Sequence, residues 1–415
     1  MHARRVVITG MGLVSPHGLD AKTAFEAMLQ GTTAIRMNAV GEAPHTTTIA
    51  SAVCSDVDAT PLLGKSRTAT MDRFSHFAAL AATSAWNDAG LSGMLEPERE
   101  QVCVMLGTAT GGGQSVERGH RDLFVRLRSR LSPLTVVQCM NNAAGAHVAQ
   151  LLGLGGACYT YSVACASSAA AIAEAARRVR SGECDVALGG GSEAALPYGT
   201  VRAWQSMQVL AVADETNAAR ACRPFSADRG GLVLGEGSAM LVLEELDHAL
   251  ARGARIYAEL AGSGTSCDHG HITAPSATGQ VRALNAALRD ARCVPGDVRY
   301  VNAHGTATPE GDPVEIQALR QCFGDLASRL PVSATKSMHG HLMGASGAIE
   351  ALITTLAVQT GKIPPTANLV DLDPACIGVD HVMGSGRDAG RVDLAISNSF
   401  AFGGSNVVLV FRALS

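Results

Sequence analysis

Between Tyr161 and Gly182 the chain changes character at a single cysteine. Upstream, Cys158-Tyr-Thr-Tyr-Ser-Val is aromatic and β-branched, a composition that suits a pleated strand. Downstream, Ala166 to Ala176 is built from small, strong helix formers; Arg177, Arg178 and Arg180 sit toward the negative end of the dipole, and Gly182 is placed to stop the helix. The spacing predicts a strand-to-helix corner at Cys165. Unpaired N–H groups at that helix N-terminus would lower the thiol pKa, and they could also hold an oxyanion. With one acidic residue, Glu174, the helix has no broad polar face and belongs in the interior, its neighbours packed close. On this stretch alone Cys165 is either a reactive thiol or an inert buried cysteine.

The rest of the chain repeats a β and α alternation. Strands are expected at Arg5 to Thr9, Val102 to Leu106, Cys158 to Val163, Val186 to Leu188 and Ala239 to Leu243, with helices at Thr70 to Ala89 and Asn141 to Leu152. After the charged stretch Glu244 to Arg255 the pattern restarts. It runs through Ile256 to Ala261, Gly279 to Ala291, Val298 to Asn302, Val332 to Ala334, Gly347 to Thr360, Leu394 to Ser397 and Val407 to Phe411. Gly235-Glu-Gly-Ser-Ala-Met-Leu-Val-Leu near the end of the first half echoes Gly403-Gly-Ser-Asn-Val-Val-Leu-Val-Phe near the end of the second, which favours duplication. The division falls between residues 1–253 and 254–415. No Pro-, Gly- and Ser-rich linker parts the halves, so the catalytic groups are expected where they meet.

Composition narrows the function classes. A chain of 415 residues that is 47% hydrophobic and 17% charged is globular. Its net charge of -4 makes nucleic acid an unsuitable partner. The N-terminus shows no apolar signal segment, and no stretch approaches the roughly 18 uncharged apolar residues of a membrane span. Eleven scattered cysteines without a Cys-x-x-Cys pair fit a reducing cytoplasm better than a disulfide framework.

Two further stretches carry candidate chemistry. In Asn302-Ala-His-Gly-Thr-Ala-Thr-Pro-Glu-Gly-Asp-Pro-Val-Glu, His304 leaves a strand into a loop of small residues, where it either meets a ligand or pins the loop. In Lys336-Ser-Met-His-Gly-His-Leu-Met-Gly-Ala-Ser-Gly a lysine and two histidines lie within six positions. His339 and His341 have metal-ligand chemistry, but no acid or thiol is clustered with them at recognisable spacing, so no metal is assigned. Asp312 and Glu315 read as holding a loop or capping a helix, with general acid–base work as the alternative. Gly107-Thr-Ala-Thr-Gly-Gly-Gly and Gly189-Gly-Gly follow strands without a dinucleotide fingerprint and read as close-packing turns. A thiol and two imidazoles together suit acyl transfer.

Val163-Ala-Cys-Ala-Ser-Ser, Asn302-Ala-His-Gly-Thr-Ala-Thr, the Lys336 segment and Asn398-Ser-Phe-Ala-Phe-Gly-Gly-Ser-Asn together resemble the motifs of the β-ketoacyl-acyl carrier protein synthases. The likeness runs from Val6-Val-Ile-Thr-Gly-Met-Gly to the last strand, through Arg223-Pro-Phe and Gly235-Glu-Gly. It is nearest to the elongating class, synthases I and II, whose set is Cys-His-His, and less near to the initiating class with Cys-His-Asn. The resemblance implies a thiolase-like α/β fold of two duplicated βαβαβαββ halves in a five-layered α-β-α-β-α arrangement.

It also implies roles. Cys165 would accept the acyl chain from acyl carrier protein, while His304 and His341 assist decarboxylation of malonyl-acyl carrier protein. Lys336 would order the histidines with Glu350 as its structural partner. The N–H groups of Cys165 and Phe402 would form the oxyanion hole, and Phe402 would gate the acyl pocket. Thr306, Thr308 and Thr273 would line the way of the pantetheine arm. No metal or cofactor is implied, since 4'-phosphopantetheine arrives with the substrate. A homodimer is implied, its strands near Cys158 to Val163 pairing and residues near Thr135 reaching the neighbour's pocket.

Departures from the family concern the acyl chain. Thr110, Thr135 and Ala203 stand where bulky pocket walls are usual, and Ala401 stands before Phe402 where glycine is usual. A wider or more polar pocket would suit a ketosynthase of a type II polyketide or aryl polyene pathway as well as one of fatty acid elongation. A non-catalytic chain-length partner subunit is the alternative of another class, and the presence of Cys165 argues against it. Docking of an acidic carrier protein would use a basic patch, either Lys65, Arg67 and Arg73 or Arg121, Arg126, Arg128 and Arg130, where plain solvated surface is the other reading.

Overall fold

The computed structural model describes residues 4–414, so residues 1–3 and 415 of the two expected halves lie outside the described residues. Ten strands fall into two sets of five. The first set is Val6–Val14, Cys103–Gly107, Cys158–Tyr161, Val186–Ala194 and Leu234–Glu245. The second is Ala258–Cys267, Tyr300–Asn302, Pro331–Ser333, Leu394–Phe400 and Ser405–Arg412. Counted in chain order within each set, both lie side by side in the order third, second, fourth, fifth, first. In both, the second strand is parallel to the third and fourth, and the fifth is antiparallel to the fourth and first. The glycine-turn echo read from the sequence marks the two fifth strands.

The two first strands join the sets, since Val7 pairs with Glu259 and Ile8 with Ala258 in an antiparallel ladder. A hairpin of Arg36–Glu42 and His45–Ala52 is added beside Leu234 and Gly235.

Helices make the remaining layers. Arg73–Asp88 and Ala143–Leu152 cover the outer face of the first sheet, and Ala277–Asp290 and Gly311–Phe323 cover that of the second. Between the sheets lie Ser167–Ser181 and Ser346–Thr360, packed into one shared core. This gives the five-layered thiolase-like arrangement.

The two central helices are copies of one device. Each has 15 residues and ends at a left-handed glycine, Gly182 at φ 81° and Gly361 at φ 71°. Each is preceded by a 3-10 turn, Ala164–Ala166 or Met343–Ala345, whose first residue is a left-handed non-glycine at φ 49° or 46°. Small residues let them sit this close. A Cβ on Gly347 would lie 2.8 Å from the Cβ of Ala169, and one on Gly107 would lie 2.3 Å from the backbone of Ser167 and Ser168. Gly189, Gly190 and Gly191 correct the expectation of a turn after Leu188. They continue the strand to Ala194, and at Gly191 a Cβ would meet that of Ser168 at 2.4 Å. Gly189 and Gly191 make room for the helix on the sheet and Gly190 for the neighbouring strand at Ala239 and Met240, places where a side chain has no room. Among the described residues no helix is long and apolar enough to cross a membrane.

Candidate active site

Cys165 lies in the turn before the first central helix, and His341 lies just ahead of the turn before the second. Because the corner is duplicated, the two helix N-termini converge, and His341 Nε2 stands 3.0 Å from Cys165 Sγ. His304 follows the second strand of the second half. Its ring meets that of His341 edge-on, with centroids 5.5 Å apart and planes at 85°. All three side chains are buried, and one potential ligand atom of each lies within 4.8 Å of the others.

Donors on the far side of each ring decide where its proton sits. Met343 N–H donates to His341 Nδ1 at 3.2 Å, with Ser346 Oγ 2.8 Å from the same atom. Lys336 Nζ stands 3.2 Å from His304 Nδ1 and also donates to His304 O at 2.6 Å. A peptide N–H and an ammonium can only donate, so both Nδ1 atoms accept and both Nε2 atoms carry hydrogen. The site therefore presents two Nε2–H donors.

Electrostatics keep those imidazoles neutral. Burial holds His304 well below the ordinary histidine value, and Lys336 and His341 add to the effect. Burial does the same to His341, with Lys336 and His339 adding. Lys336 is itself fully buried against Glu350, whose carboxyl is pushed up to about 7 by burial against the pull of Lys336.

Cys165 reverses the sequence expectation. Burial pushes its thiol up to about 12, and Glu193 adds to the rise. Lys336 and the N–H groups of Cys165 and Phe402 pull it down without overcoming burial. The helix N-terminus acts in the expected direction, but desolvation is larger. Both N–H groups expected in the oxyanion hole act on the sulfur.

The carboxylates of the His304 loop are structural. Glu315 accepts N–H groups from His304 at 2.9 Å and Gly305 at 2.8 Å, together with the amide of Asn398 at 2.9 Å. Asp312 accepts N–H groups from Phe225 at 2.8 Å and from Thr306 and Ala307 at 3.1 Å each. His339 turns away, its ring nitrogens meeting Gly340 O and Thr335 Oγ1. Cys165, His304 and His341 are thus the ligand-type cluster among the described residues. A metal fits it poorly, because both Nδ1 atoms are taken and an added cation would face the buried Lys336.

A cleft of about 440 Å³ opens on these groups, lined among others by Thr273, Thr306, Thr308, Trp204 and Phe402. Phe402 stacks on Trp204, with centroids 6.0 Å apart and planes at 27°. Gly403 N–H donates to Ile272 O at 2.7 Å, which ties the Phe402 loop to the Thr273 loop. Ala401 packs its methyl against the cluster that holds Cys165.

Thr110, Thr135 and Ala203 are not gathered round that cleft. Thr110 lines a second cavity of about 530 Å³ beside Tyr198, Glu117 and Arg121, Thr135 lies next to Gly119, and Ala203 is exposed on its helix.

The basic clusters are largely spoken for. Arg73 is paired with Glu236 at 2.6 Å, Arg121 and Arg126 with Glu42, and Arg128 with Asp122. Lys65, Arg67 and Arg130 are exposed, with no acidic partner among the described residues.

Sequence reasoning missed Trp204 and Glu193. Glu193 is a fully buried carboxylate, the last but one residue of the strand Val186–Ala194. The signal available was an acid after three glycines in an otherwise apolar strand.

Residues 3–249 match the family described as Beta-ketoacyl synthase, N-terminal domain, and residues 257–370 match Beta-ketoacyl synthase, C-terminal domain. The chain is 39% identical over 412 residues to 3-oxoacyl-[acyl-carrier-protein] synthase 2 of Staphylococcus aureus (strain COL), covering 99% of this chain and 98% of that one. It is 40% identical over 414 residues to Nodulation protein E of a Rhizobium species, covering 99% of each. The solved structure titled "The ishigamide ketosynthase/chain length factor" matches with a TM-score of 0.91 and 31% identity over 100% of both chains.

Proposed function

The chain belongs to the β-ketoacyl synthase family, and from that premise we propose a decarboxylative Claisen condensation in fatty acid elongation. An acyl chain is carried on Cys165, and a malonyl thioester of acyl carrier protein extends it. The protein is an acyltransferase, divided into halves 1–253 and 254–415.

The first step is thioester exchange. Cys165 Sγ bonds to the acyl carbon, the carrier's C–S bond breaks, and the proton lost by Cys165 ends on the departing pantetheine thiol. The carbonyl oxygen gains charge beside the N–H groups of Cys165 and Phe402.

In the second step the malonyl thioester oxygen lies between the Nε2–H groups of His304 and His341. Carbon dioxide leaves, and the electron pair of the broken C–C bond becomes an enolate stabilised by those two donors. The enolate carbon attacks the acyl carbon on Cys165. The tetrahedral oxyanion returns to the Cys165 and Phe402 N–H pair, and its collapse expels the Cys165 thiolate, which takes up one proton from solvent, the proton that the overall decarboxylative condensation consumes. The product is 3-oxoacyl-acyl carrier protein, two carbons longer. This chemistry draws on no resident cofactor.

The observation that carries the reading is the pair of fixed tautomers, two neutral imidazoles each presenting Nε2–H beside one thiol. The test is to incubate the protein with malonyl-acyl carrier protein and a panel of acyl carrier thioesters. Mass analysis should find acylation at Cys165 and products two carbons longer. No elongation by wild type, with no effect of Cys165→Ala, would sink the reading.

A second reading concerns the chain and not the chemistry. The cavity beside Thr110 sets a few polar side chains, Glu117, Arg121 and Tyr198, into a mostly apolar lining with Val116, Phe124 and Val125, a mixed wall that would suit a polyketide or polyene chain. A non-catalytic partner role is disfavoured by the complete Cys165, His304 and His341 set.

A homodimer is part of the proposal. Cys158–Tyr161 is an edge strand, and Phe124, Leu127, Val136 and Val137 expose apolar surface on the segment after Gly113. Lys65 and Arg67 of one cluster and Arg130 of the other are the exposed cations of those clusters offered to an acidic carrier protein. Eleven free cysteines suit a reducing cytoplasm.

A further inference from the structure

We propose that Glu193 is a positioning residue for this reaction: its carboxylate sits where the second half repeats the oxyanion corner of the first, and it holds the turn that orients His341. This rests on the reading of His341 as an Nε2–H donor.

The duplication makes the equivalence explicit. Met343 matches Ala164, the left-handed residue that opens each turn, so Gly344 matches Cys165. In the first half the Cys165 N–H is free for a reacting oxygen. In the second, the Gly344 N–H donates to Glu193 Oε2 at 3.1 Å. The protein has placed its own carboxylate in the unused copy of the corner.

Four more donors converge on the same side chain. Ala109 N–H reaches Oε2 at 2.6 Å, and Thr110 N–H reaches Oε1 at 3.1 Å. The hydroxyls of Thr110 and Thr108 reach Oε1 at 2.6 and 3.2 Å. No lysine or arginine pairs with Glu193 among the described residues, so neutral donors alone satisfy a fully buried carboxylate. Such a group is demanding about its neighbours, because each lost donor leaves charge unsolvated.

What those donors hold is the turn at Met343. Its left-handed backbone is unfavourable for a side chain with a Cβ and needs outside support. The N–H of Met343 fixes His341 Nδ1, and the next N–H along the chain is the one anchored on Glu193. The other anchors, Thr108 to Thr110, follow the second strand of the first half. Glu193 therefore ties the His341 turn to the opposite half. The contact is tight, since a Cβ on Gly344 would lie 2.3 Å from Ala109 N and 2.6 Å from Glu193 Oε2.

Glu193→Gln keeps the shape but turns an NH₂ toward donors that need an acceptor. In the full-length protein, malonyl-acyl carrier protein decarboxylation should fall about 10²-fold. Acyl transfer to Cys165 should stay within about threefold of wild type, because its own donors are untouched. A general loss of structure would reduce both reactions together. Thr110→Val removes one hydroxyl donor and spares the charge, and it should lower decarboxylation about fivefold even if the glutamine variant does not fold. Unchanged decarboxylation in both variants, or equal loss of both reactions, overturns the inference. A wild type that does not decarboxylate overturns the condensing reading and this inference with it. A wild type that does, beside unaffected variants, overturns this inference alone.

Discussion

Lys336 aims its ammonium at His304 Nδ1 from 3.2 Å while bonded on its other side to Glu350, and no part of that pair reaches solvent. One side chain thus sets the proton position on His304 and neutralises a buried acid. Replacing Lys336 by Met should reduce malonyl decarboxylation about 10²-fold. It should also destabilise the fold by about 3–5 kcal/mol, because Glu350 is left buried without its cation. Decarboxylation assays and denaturant titration read the two effects, and retained stability would show that the pair is not structural.

His304→Ala and His341→Ala should each lower decarboxylation about 10²- to 10³-fold, as loss of one oxyanion donor does elsewhere. Acyl transfer to Cys165 should persist in both. The contradictory outcome is loss of acylation with decarboxylation intact.

Alkylation of Cys165 by iodoacetamide should climb about tenfold per pH unit between about pH 6 and pH 9, without a plateau. Burial raises the thiol from its ordinary 9.0 to about 12, so the thiolate is scarce throughout that range. The sign for stability follows, because a raised folded pKa favours the fold while the thiol is protonated. That contribution is complete below the unfolded value and is lost as pH rises toward 12. A plateau near neutral pH would refute the raised value.

Gly347→Ala should destabilise the protein by about 1–3 kcal/mol through overpacking, since its Cβ would meet Ala169 at 2.8 Å. Thermal unfolding measures this. An unchanged midpoint would mean that the central helices can part at no expense.

Leu127→Asp or Phe124→Asp should shift the proposed dimer to monomer in sedimentation without unfolding the chain. These side chains are 82% and 74% exposed in the single chain, and they have apolar contacts to gain only from a partner. A dimer that survives both changes would place its interface elsewhere.

Much of this was legible in the residues because the signals were local. The corner at Cys165 follows from β-branched residues meeting an alanine run, and the duplication follows from matching glycine-to-strand endings at Gly235 and Gly403. The glycines at 189 to 191 misled, since a run of glycine after three apolar residues looks the same whether it turns or packs beneath a helix. The thiol pKa also escaped, because dipole and burial oppose each other and only burial can be weighed in three dimensions. Glu193 was silent for a related reason. Its five donors come from one loop, Thr108 to Thr110, and one turn, at Gly344, that share no sequence neighbourhood with it or with each other. Thr110, Thr135 and Ala203 lie apart from the Cys165 cleft within one chain, a separation no linear reading contains.

The ladder between Val7–Ile8 and Ala258–Glu259 has a mechanical consequence. Main-chain bonds stitch the two sheets together, and the paired helices between them leave no plane along which the halves could swing. The geometry does not favour a clamshell closure on the substrate. The gate proposed at Phe402 would then be a latch a few residues wide, hooked on Ile272 through Gly403 and working against a fixed frame.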